Sequence, residues 1–172
     1  MKKNWYAVYT KITHERKVAA FLSKKKFENY CPNNRIIQPN QSFKRRLEFE
    51  PLFPSFVFVY ITEADINTVK KVNFVIDFVY WLGKPAVIKE IEIENIKQFT
   101  GQYENITIEK SNVYAGGITR IVNDPNNNTA ITITESSIKL QLPSLGFTMV
   151  TQLTEQNADA YNYLYERIKL VV

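Results

Sequence analysis

Aromatic side chains at alternate positions of one apolar run are the residues of this chain best suited to binding another molecule. The run is EPLFPSFVFV at residues 50–59. In a strand, Phe56 and Phe58 share one face and Val57 and Val59 share the other. If the valines enter the core, the rings lie on the opposite face, where a helix of the same domain covers them or a partner docks. Ordinary burial in the core is the competing interpretation, because most Phe in a soluble domain is buried.

Two prolines bracket the entrance to this strand. Proline fixes φ near −65° and has no amide hydrogen, so Pro51 and Pro54 are typical of a rigid bend before a strand rather than of its interior. We expect the bend to hold Phe53 in a defined place.

Residues that could support catalysis are few. The chain has no glycine-rich phosphate loop, its single His14 has no companion ligand, and its acidic residues form no recognisable motif. Without Cys or His partners a zinc site is excluded on ligand count. We therefore expect no enzyme activity, no metal and no cofactor.

Length and composition favour a folded cytoplasmic protein. The 172 residues are 45% hydrophobic, enough for one medium domain or two small ones. The longest apolar run, 52–61, is far shorter than the roughly 20 residues that span a bilayer, and the basic start is not followed by a secretory signal. The lone Cys31 agrees with a reducing compartment and a structural thiol.

Positive charge is concentrated at the front of the chain. The net charge is +5, but residues 1–50 hold twelve Lys or Arg against four Glu, a balance of +8, so the remainder carries −3. This asymmetry favours a polyanionic partner for the front part. Solvation of the surface is the alternative.

A basic helix follows the first predicted strand, residues 5–10. Thr13 is placed to cap a helix that runs to about Lys26. One side of it is apolar, and the other carries small Ala20 between Arg16 and Lys24, which leaves room for a phosphate backbone. The apolar stripe at helical spacing consists of Val18, Phe21 and Leu22.

The later pattern predicts an α+β domain over residues 1–104, with an antiparallel sheet flanked by helices. Strand 30–37 leads into a hairpin with a loop at 38–42 and a basic return. Strands at 56–61 and 75–81 are separated by a short helix opened at Thr62, and a turn at 83–85 precedes a helix over 90–103.

A linker and a small second domain follow. Residues 105–116 are typical of a linker, and residues 117–172 contain four short β-rich segments and a final segment, 158–168, with helical spacing. We expect a small β-barrel with a C-terminal helix. The four predicted strands are 118–122, 129–134, 137–142 and 147–153.

Five short motifs follow one another along the first hundred residues: WYAVYTK at 5–11, the basic helix, YCP at 30–32, EPLFPSFVFV at 50–59 and FVYWLGKP at 78–85. In this order they resemble the N-terminal domain of NusG-type transcription elongation and antitermination factors. Within the family the chain looks closest to specialised paralogues of the RfaH and UpxY types, and its second domain resembles the family's KOW barrel.

The resemblance implies a protein that rides on bacterial RNA polymerase, binds the β′ clamp helices and suppresses pausing or termination. It places Asn67 and Thr68 where relatives touch the β subunit. The apolar cavity for the clamp helices would be lined by Tyr9, Phe53, Phe56 and Phe58.

The resemblance also implies contacts with the non-template DNA strand. The matching helix positions are Lys11, His14, Lys17 and Lys24. Our charge argument adds Arg16 and the basic hairpin return, Lys44, Arg45 and Arg46.

The remaining partners are less specified. Related barrels recruit a ribosomal protein or the termination factor Rho, and the Asn-rich turn at 123–128 leaves open whether this one does. We expect a monomer with no membrane partner. A stand-alone RNA- or DNA-binding module is the main alternative, because the +8 front part alone would favour it. A small enzyme has little support.

Overall fold

The computed structural model describes residues 2–38, 46–110, 120–124, 127–133 and 137–152. Three predictions lie outside this part of the chain: the hairpin tip with Lys44 and Arg45, the Gly-rich end of the linker, and the C-terminal helical segment.

The described elements form two larger antiparallel sheets, two small hairpins and three helices. A single 3-10 turn, Glu63–Asp65, precedes the second helix. In chain order the elements are β1 (Asn4–Thr10), α1 (Glu15–Lys24), β2 (Glu28–Tyr30), β3 (Asn33–Gln38), β4 (Arg46–Pro51), β5 (Phe56–Ile61), α2 (Ile66–Lys70), β6 (Val75–Phe78), β7 (Tyr80–Trp81), β8 (Lys84–Pro85), β9 (Val87–Ile88), α3 (Glu90–Gln102), β10 (Thr107–Lys110), β11 (Arg120–Asp124), β12 (Asn127–Ile133), β13 (Ser137–Leu142) and β14 (Phe147–Gln152).

The first sheet has the order β2-β5-β1-β6, and β9 also pairs with β1. The predicted alternation along β5 is confirmed, because Val57 and Val59 pack in one buried cluster with Val18 and Leu22 of α1. Phe58 lies in the other buried cluster, on the opposite face. The two faces of this sheet therefore have different covers.

The opposite face is covered by α3 and by the second sheet. Ile93 and Ile96 of α3 belong to the same cluster as Phe58. Leu140 and Met149, from β13 and β14, belong to it as well. The predicted helix over 90–103 is confirmed by α3.

The start of α1 differs from the prediction. The helix begins at Glu15 with His14 as its N-cap, and Thr13 has φ +65°. The Oε1 atom of buried Glu15 accepts the Thr13 amide at 3.3 Å and the Ser55 amide at 2.7 Å. The buried carboxylate thus joins the loop before the helix to the entrance of the strand that begins at Phe56.

The predicted strand 30–37 is two strands. Pro32 has no amide hydrogen to donate, and its carbonyl accepts the Leu52 amide at 2.8 Å. The chain therefore leaves the first sheet after β2 and forms a separate hairpin of β3 and β4. The return of this hairpin begins with the backbone of Arg46.

The predicted strand 75–81 is also divided. After β6 the chain forms a tight hairpin of β7 and β8, turning at Leu82 and Gly83 with φ of +49° and +76°. Two successive positive φ values are typical of the turns that join short hairpins.

The second sheet has the order β10-β14-β13-β12-β11. Its strands β13 and β14 match two predicted strands closely, and β10 lies inside the predicted linker, where it pairs with β14. Among the described pairings none joins β10 to β11, so the expected barrel closure is not shown.

Neither a membrane span nor a metal site is found in the described ranges. No helix there is both long and apolar enough to cross a bilayer. No group of three or more His, Cys, Asp or Glu side chains is placed there to hold a metal ion.

Buried Asn34 joins the β3–β4 hairpin to the segment after α3. Its Nδ2 donates to the Ile106 carbonyl at 2.7 Å and its Oδ1 accepts the Ile106 amide at 3.0 Å. Nearby, Arg35 Nη2 donates to the Gly101 carbonyl at 2.9 Å, near the C-terminus of α3. These bonds position α3 and the strand that follows it.

We predict that Asn34→Ala lowers the free energy of unfolding by about 2–4 kcal/mol, because it leaves a buried amide and a buried carbonyl unpaired. Urea denaturation measures the change. Gln98→Ala, at an exposed position of α3, is the control and should change stability by less than about 0.5 kcal/mol. An equally small effect of Asn34→Ala would contradict this role.

Candidate functional site

The structure brings the four predicted polymerase-binding rings together. The register of β1 and β5 places Tyr9 opposite Phe56, with ring centroids 4.7 Å apart. Phe53 meets Phe58 edge to face at 5.5 Å. We call Tyr9, Phe53, Phe56 and Phe58 the ring cluster.

The bend before β5 fixes Phe53 in this cluster. The Phe56 amide donates to the Phe53 carbonyl at 3.2 Å, and the Thr10 amide donates to the Ser55 carbonyl at 2.8 Å. Ser55 has φ +65° and is held from its other side by Glu15. The rings thus stand on backbone that is hydrogen-bonded at several points.

The ring cluster is mostly covered, which corrects the expectation of an open face. Phe53 and Phe58 are only 3% and 1% exposed, Phe56 is half-buried, and Tyr9 keeps 40% of its surface exposed. Phe147 of β14 lies 6.3 Å from both Phe53 and Phe56 between ring centroids. The second sheet, not a helix alone, provides the cover over this part of the cluster.

A polar contact accompanies this cover. Glu92 of α3 is 1% exposed, and its Oε1 accepts the Ser144 amide at 3.1 Å and the Ser144 hydroxyl at 2.7 Å. Its Oε2 is buried with no hydrogen-bond partner in the described part of the chain. A buried oxygen without a hydrogen bond costs free energy. This cost offsets part of the stabilisation that the two bonds to Ser144 give the contact between α3 and the second sheet.

The predicted nucleic-acid residues on α1 form a second surface. His14, Lys17 and Lys24 follow at spacings of three and seven residues, which places them on one side of the helix. The His14 ring lies 4.3 Å from Phe74 between centroids, and Lys17 Nζ lies 6.0 Å from the same ring. Phe21, beside Lys24, completes this surface. We call His14, Lys17, Phe21, Lys24 and Phe74 the aromatic–basic patch.

The other predicted cations differ in their placement. Lys11 is exposed next to the patch, and its amide donates to the Phe74 carbonyl at 2.9 Å. Arg16 donates from Nη2 to the Phe49 carbonyl and to Asn33 Oδ1, so it ties α1 to the β3–β4 hairpin. Its side chain is engaged in a structural contact, which the sequence did not indicate.

Sequence reasoning missed three rings. Phe21 belongs to the predicted core stripe, and no sequence pattern assigns Phe74 or Phe147 to a surface. Phe147 follows the tight turn at Leu145–Gly146, but its contact with the first sheet is long-range and leaves no local signal.

The Cys31 thiol behaves as a structural group. Burial, together with the nearby Glu15 carboxylate, raises its pKa to about 11. The thiol therefore stays protonated at neutral pH and is a poor nucleophile.

A protein family and a solved structure are similar to this chain. The family model described as transcription termination factor NusG matches residues 3–97, more than half of the chain. A solved structure described as "Domain interaction in Thermotoga maritima NusG" is 26% identical, covers 89% of this chain and 94% of that chain, and has a TM-score of 0.50.

Two further structures are more distant. Conformations A and B of the MjSpt4:Spt5 complex are 20% and 16% identical, with TM-scores of 0.35 and 0.33. They cover 87% and 88% of this chain and 98% and 97% of those chains. Identities and TM-scores this low support no argument about the present chain. No curated protein is significantly similar to the chain.

The family match contains the first sheet, α1, the bend and β5, which are the elements that build the ring cluster and the aromatic–basic patch. The chain belongs to the NusG family of transcription factors.

Proposed function

We propose that this protein is a transcription elongation or antitermination factor that binds the β′ clamp helices of bacterial RNA polymerase through the ring cluster and contacts the non-template DNA strand through α1. The observation that carries the proposal is the convergence of Tyr9, Phe53, Phe56 and Phe58 on one face of the first sheet. If the bound protein also bridges the two sides of the DNA channel of the polymerase, we expect it to suppress pausing or termination.

The chemistry of the ring cluster suits an apolar helical partner. Tyr9 and Phe56 are the accessible members, and the rings behind them are fixed by the bend and by α3. Burying a Phe contributes about 1.5–3 kcal/mol, so two or three anchors supply much of a micromolar affinity before entropic costs are subtracted.

Binding by the whole cluster requires the second sheet to move. Phe147 occupies the space beside Phe53 and Phe56 that a clamp helix would take. A partner that binds only the uncovered state has its apparent affinity reduced by the fraction of molecules in that state. The Thermotoga NusG structure is described as one of a domain interaction, which supports treating the cover in this protein as part of its function.

Charge supports a nucleic-acid contact on α1. The exposed side chains of Lys11, Lys17 and Lys24 lie in the part of the chain whose balance is +8. Such cations release counterions from phosphates and make binding fall with salt. A stand-alone nucleic-acid-binding module would use the same cations without polymerase, so the two functions need separate tests.

The second sheet's own partner and the oligomeric state belong to the same proposal. We propose a monomer whose second domain, once displaced, is free to recruit a ribosomal protein or Rho. The contact with the β subunit would be made by Asn67 and Thr68, which are exposed on α2.

We predict that Phe56→Asp abolishes binding of the full chain to an isolated clamp-helix fragment, because it places a charge among the rings. Affinity is measured by calorimetry, with circular dichroism to check the fold. Phe49→Asp, which makes the same change at a ring 51% exposed on β4, is the control and should bind as wild type. Undiminished binding by Phe56→Asp would remove the ring cluster as the interface.

We predict the opposite effect for Phe147→Ala, which removes the ring of the cover and leaves the proposed interface intact. If losing this ring destabilises the covered state by about 1–2 kcal/mol relative to the uncovered one, affinity for the same fragment rises about 5- to 30-fold. Gln141→Ala, exposed on β13, should leave affinity unchanged. A weaker or equal affinity for Phe147→Ala would show that the second sheet does not compete with the clamp helices.

We predict that Lys17→Glu with Lys24→Glu reduces the effect of the protein in single-round transcription across a known pause, without reducing its binding to the clamp-helix fragment. Lys84→Glu with Lys89→Glu, exposed outside the patch, is the matched control. Strong, salt-dependent binding of the wild type to free nucleic acid, with no effect on purified polymerase, would favour the stand-alone module instead.

A further inference from the structure

Phe74 occupies a backbone position that normally belongs to glycine. It is the third residue of the turn Val72–Val75, in which the Val75 amide donates to the Val72 carbonyl at 3.1 Å. Its φ is +69°, a value that turns of this kind usually assign to Gly or Asn. A bulky side chain in this region is an outlier because its Cβ crowds the following carbonyl.

The strained residue directs its ring into the centre of the aromatic–basic patch. The Phe74 ring lies 4.3 Å from His14 and 6.2 Å from Phe21 between centroids, the latter pair tilted by only 26°. Lys17 Nζ is 6.0 Å from the Phe74 centroid, and Lys24 Nζ is 5.9 Å from that of Phe21. Three rings are thus flanked by two cations on one side of α1.

Packing alone explains this arrangement poorly. The Phe74 and Phe21 side chains are only half-buried at the edge of the cluster beneath α1. A partly buried ring gains less than full burial offers, and the backbone strain offsets part of that gain. Residues held in rare backbone conformations cluster at sites of binding, so the outlier points to a role for the ring.

The charges around the patch suit a polyanion with exposed bases. Lys11, Lys17 and Lys24 are exposed along its border. Of the nearby carboxylates, Glu15 is buried and accepts two amides, and Asp77 pairs with Lys70 Nζ at 2.8 Å. Aromatic rings interleaved with cations are the usual platform for single-stranded nucleic acid, in which base faces are free to stack.

We propose that Phe74, supported by His14 and Phe21, is a stacking platform for an unpaired nucleobase and gives the patch a preference for single-stranded over duplex DNA. The proposal rests on the proposed contact of α1 with the non-template strand. Lys11, Lys17 and Lys24 would bind the flanking phosphates. The platform would distinguish unpaired from paired bases, which the charges alone do not.

Phe74→Gly tests the platform with little risk to the fold, because glycine adopts φ +69° without strain. Fluorescence anisotropy with the full chain compares a single strand of about 12 nucleotides, within the usual range of single-strand site sizes, with a duplex of the same length. We expect single-strand affinity to fall about 5- to 100-fold, since stacking on one ring has that range of effects. Duplex affinity and the salt dependence of both should not change.

Two controls separate stacking from charge. Phe74→Trp keeps a stacking ring and should retain the preference for the single strand, whereas Lys17→Glu should weaken both DNA forms. A single strand in which central nucleotides are abasic should bind wild type and Phe74→Gly equally. Phe21→Leu tests the platform at a second ring. It should lower affinity for the single strand and leave affinity for the duplex unchanged.

The outcomes are distinct. Equal single-strand binding by wild type and Phe74→Gly, or an equal loss for duplex and single strand, would overturn the platform. No binding of the wild type to any DNA, free or on polymerase, would overturn both the platform and the proposed contact of α1. The clamp-helix assay reports on the polymerase interface independently, and Phe74→Gly should bind that fragment as wild type does.

Discussion

The register between β1 and β5 is the constraint on which both faces of the first sheet depend. Tyr6 pairs with Val59 and Val8 with Val57, and all four pack beneath α1. The alternate pair, Tyr9 with Phe56, points the other way. A slip of one residue would exchange the two faces and place the rings under the helix. The Glu15 carboxylate helps to fix the register, because it binds the Ser55 amide just before β5.

This register gives the two faces of one small sheet domain different surfaces. On one face, α1 uses its apolar side for the core and leaves its cations and rings toward solvent. On the other, α3 and the second sheet cover rings that would otherwise form an apolar hollow. The cover combines apolar packing by Phe147 with the Glu92–Ser144 contact, in which one carboxylate oxygen remains unpaired within the described residues. Such a contact is suited to opening, because its polar part contributes little net stability.

Local patterns predicted the first domain well. The alternation of Val and Phe along β5, the helical spacing of α3 and the proline bend are short-range signals, and the structure contains all three. The predicted start of α1 was wrong because Thr13 has φ +65° and lies before the N-cap, His14. The conformation there is linked to a long-range bond, since the Glu15 carboxylate accepts the Ser55 amide forty residues away. The strand break at Pro32 was missed although its local signal, the proline, was present.

Long-range contacts account for the rest. Nothing in residues 137–152 indicates that this hairpin packs on the first sheet rather than only on its own, so the open face was expected and a covered one was found. The strand β10 was hidden inside a polar segment because its partner, β14, lies about forty residues later. His14, Lys17 and Lys24 of the patch were expected from the family resemblance, whereas Phe74 needed the backbone geometry to be recognised.

The distance between α3 and β13 in solution tests most directly whether the second sheet uncovers the rings for a partner. Spin labels on cysteines introduced at Gln98 and Gln141, both exposed, report this distance by electron paramagnetic resonance in a Cys31→Ala background, because Cys31 is itself a free, half-buried thiol. We expect one short, narrow distance in the free protein and a longer, broader one when the clamp-helix fragment binds. An unchanged distance in a fully bound sample would show that the partner binds elsewhere and would contradict the proposed displacement.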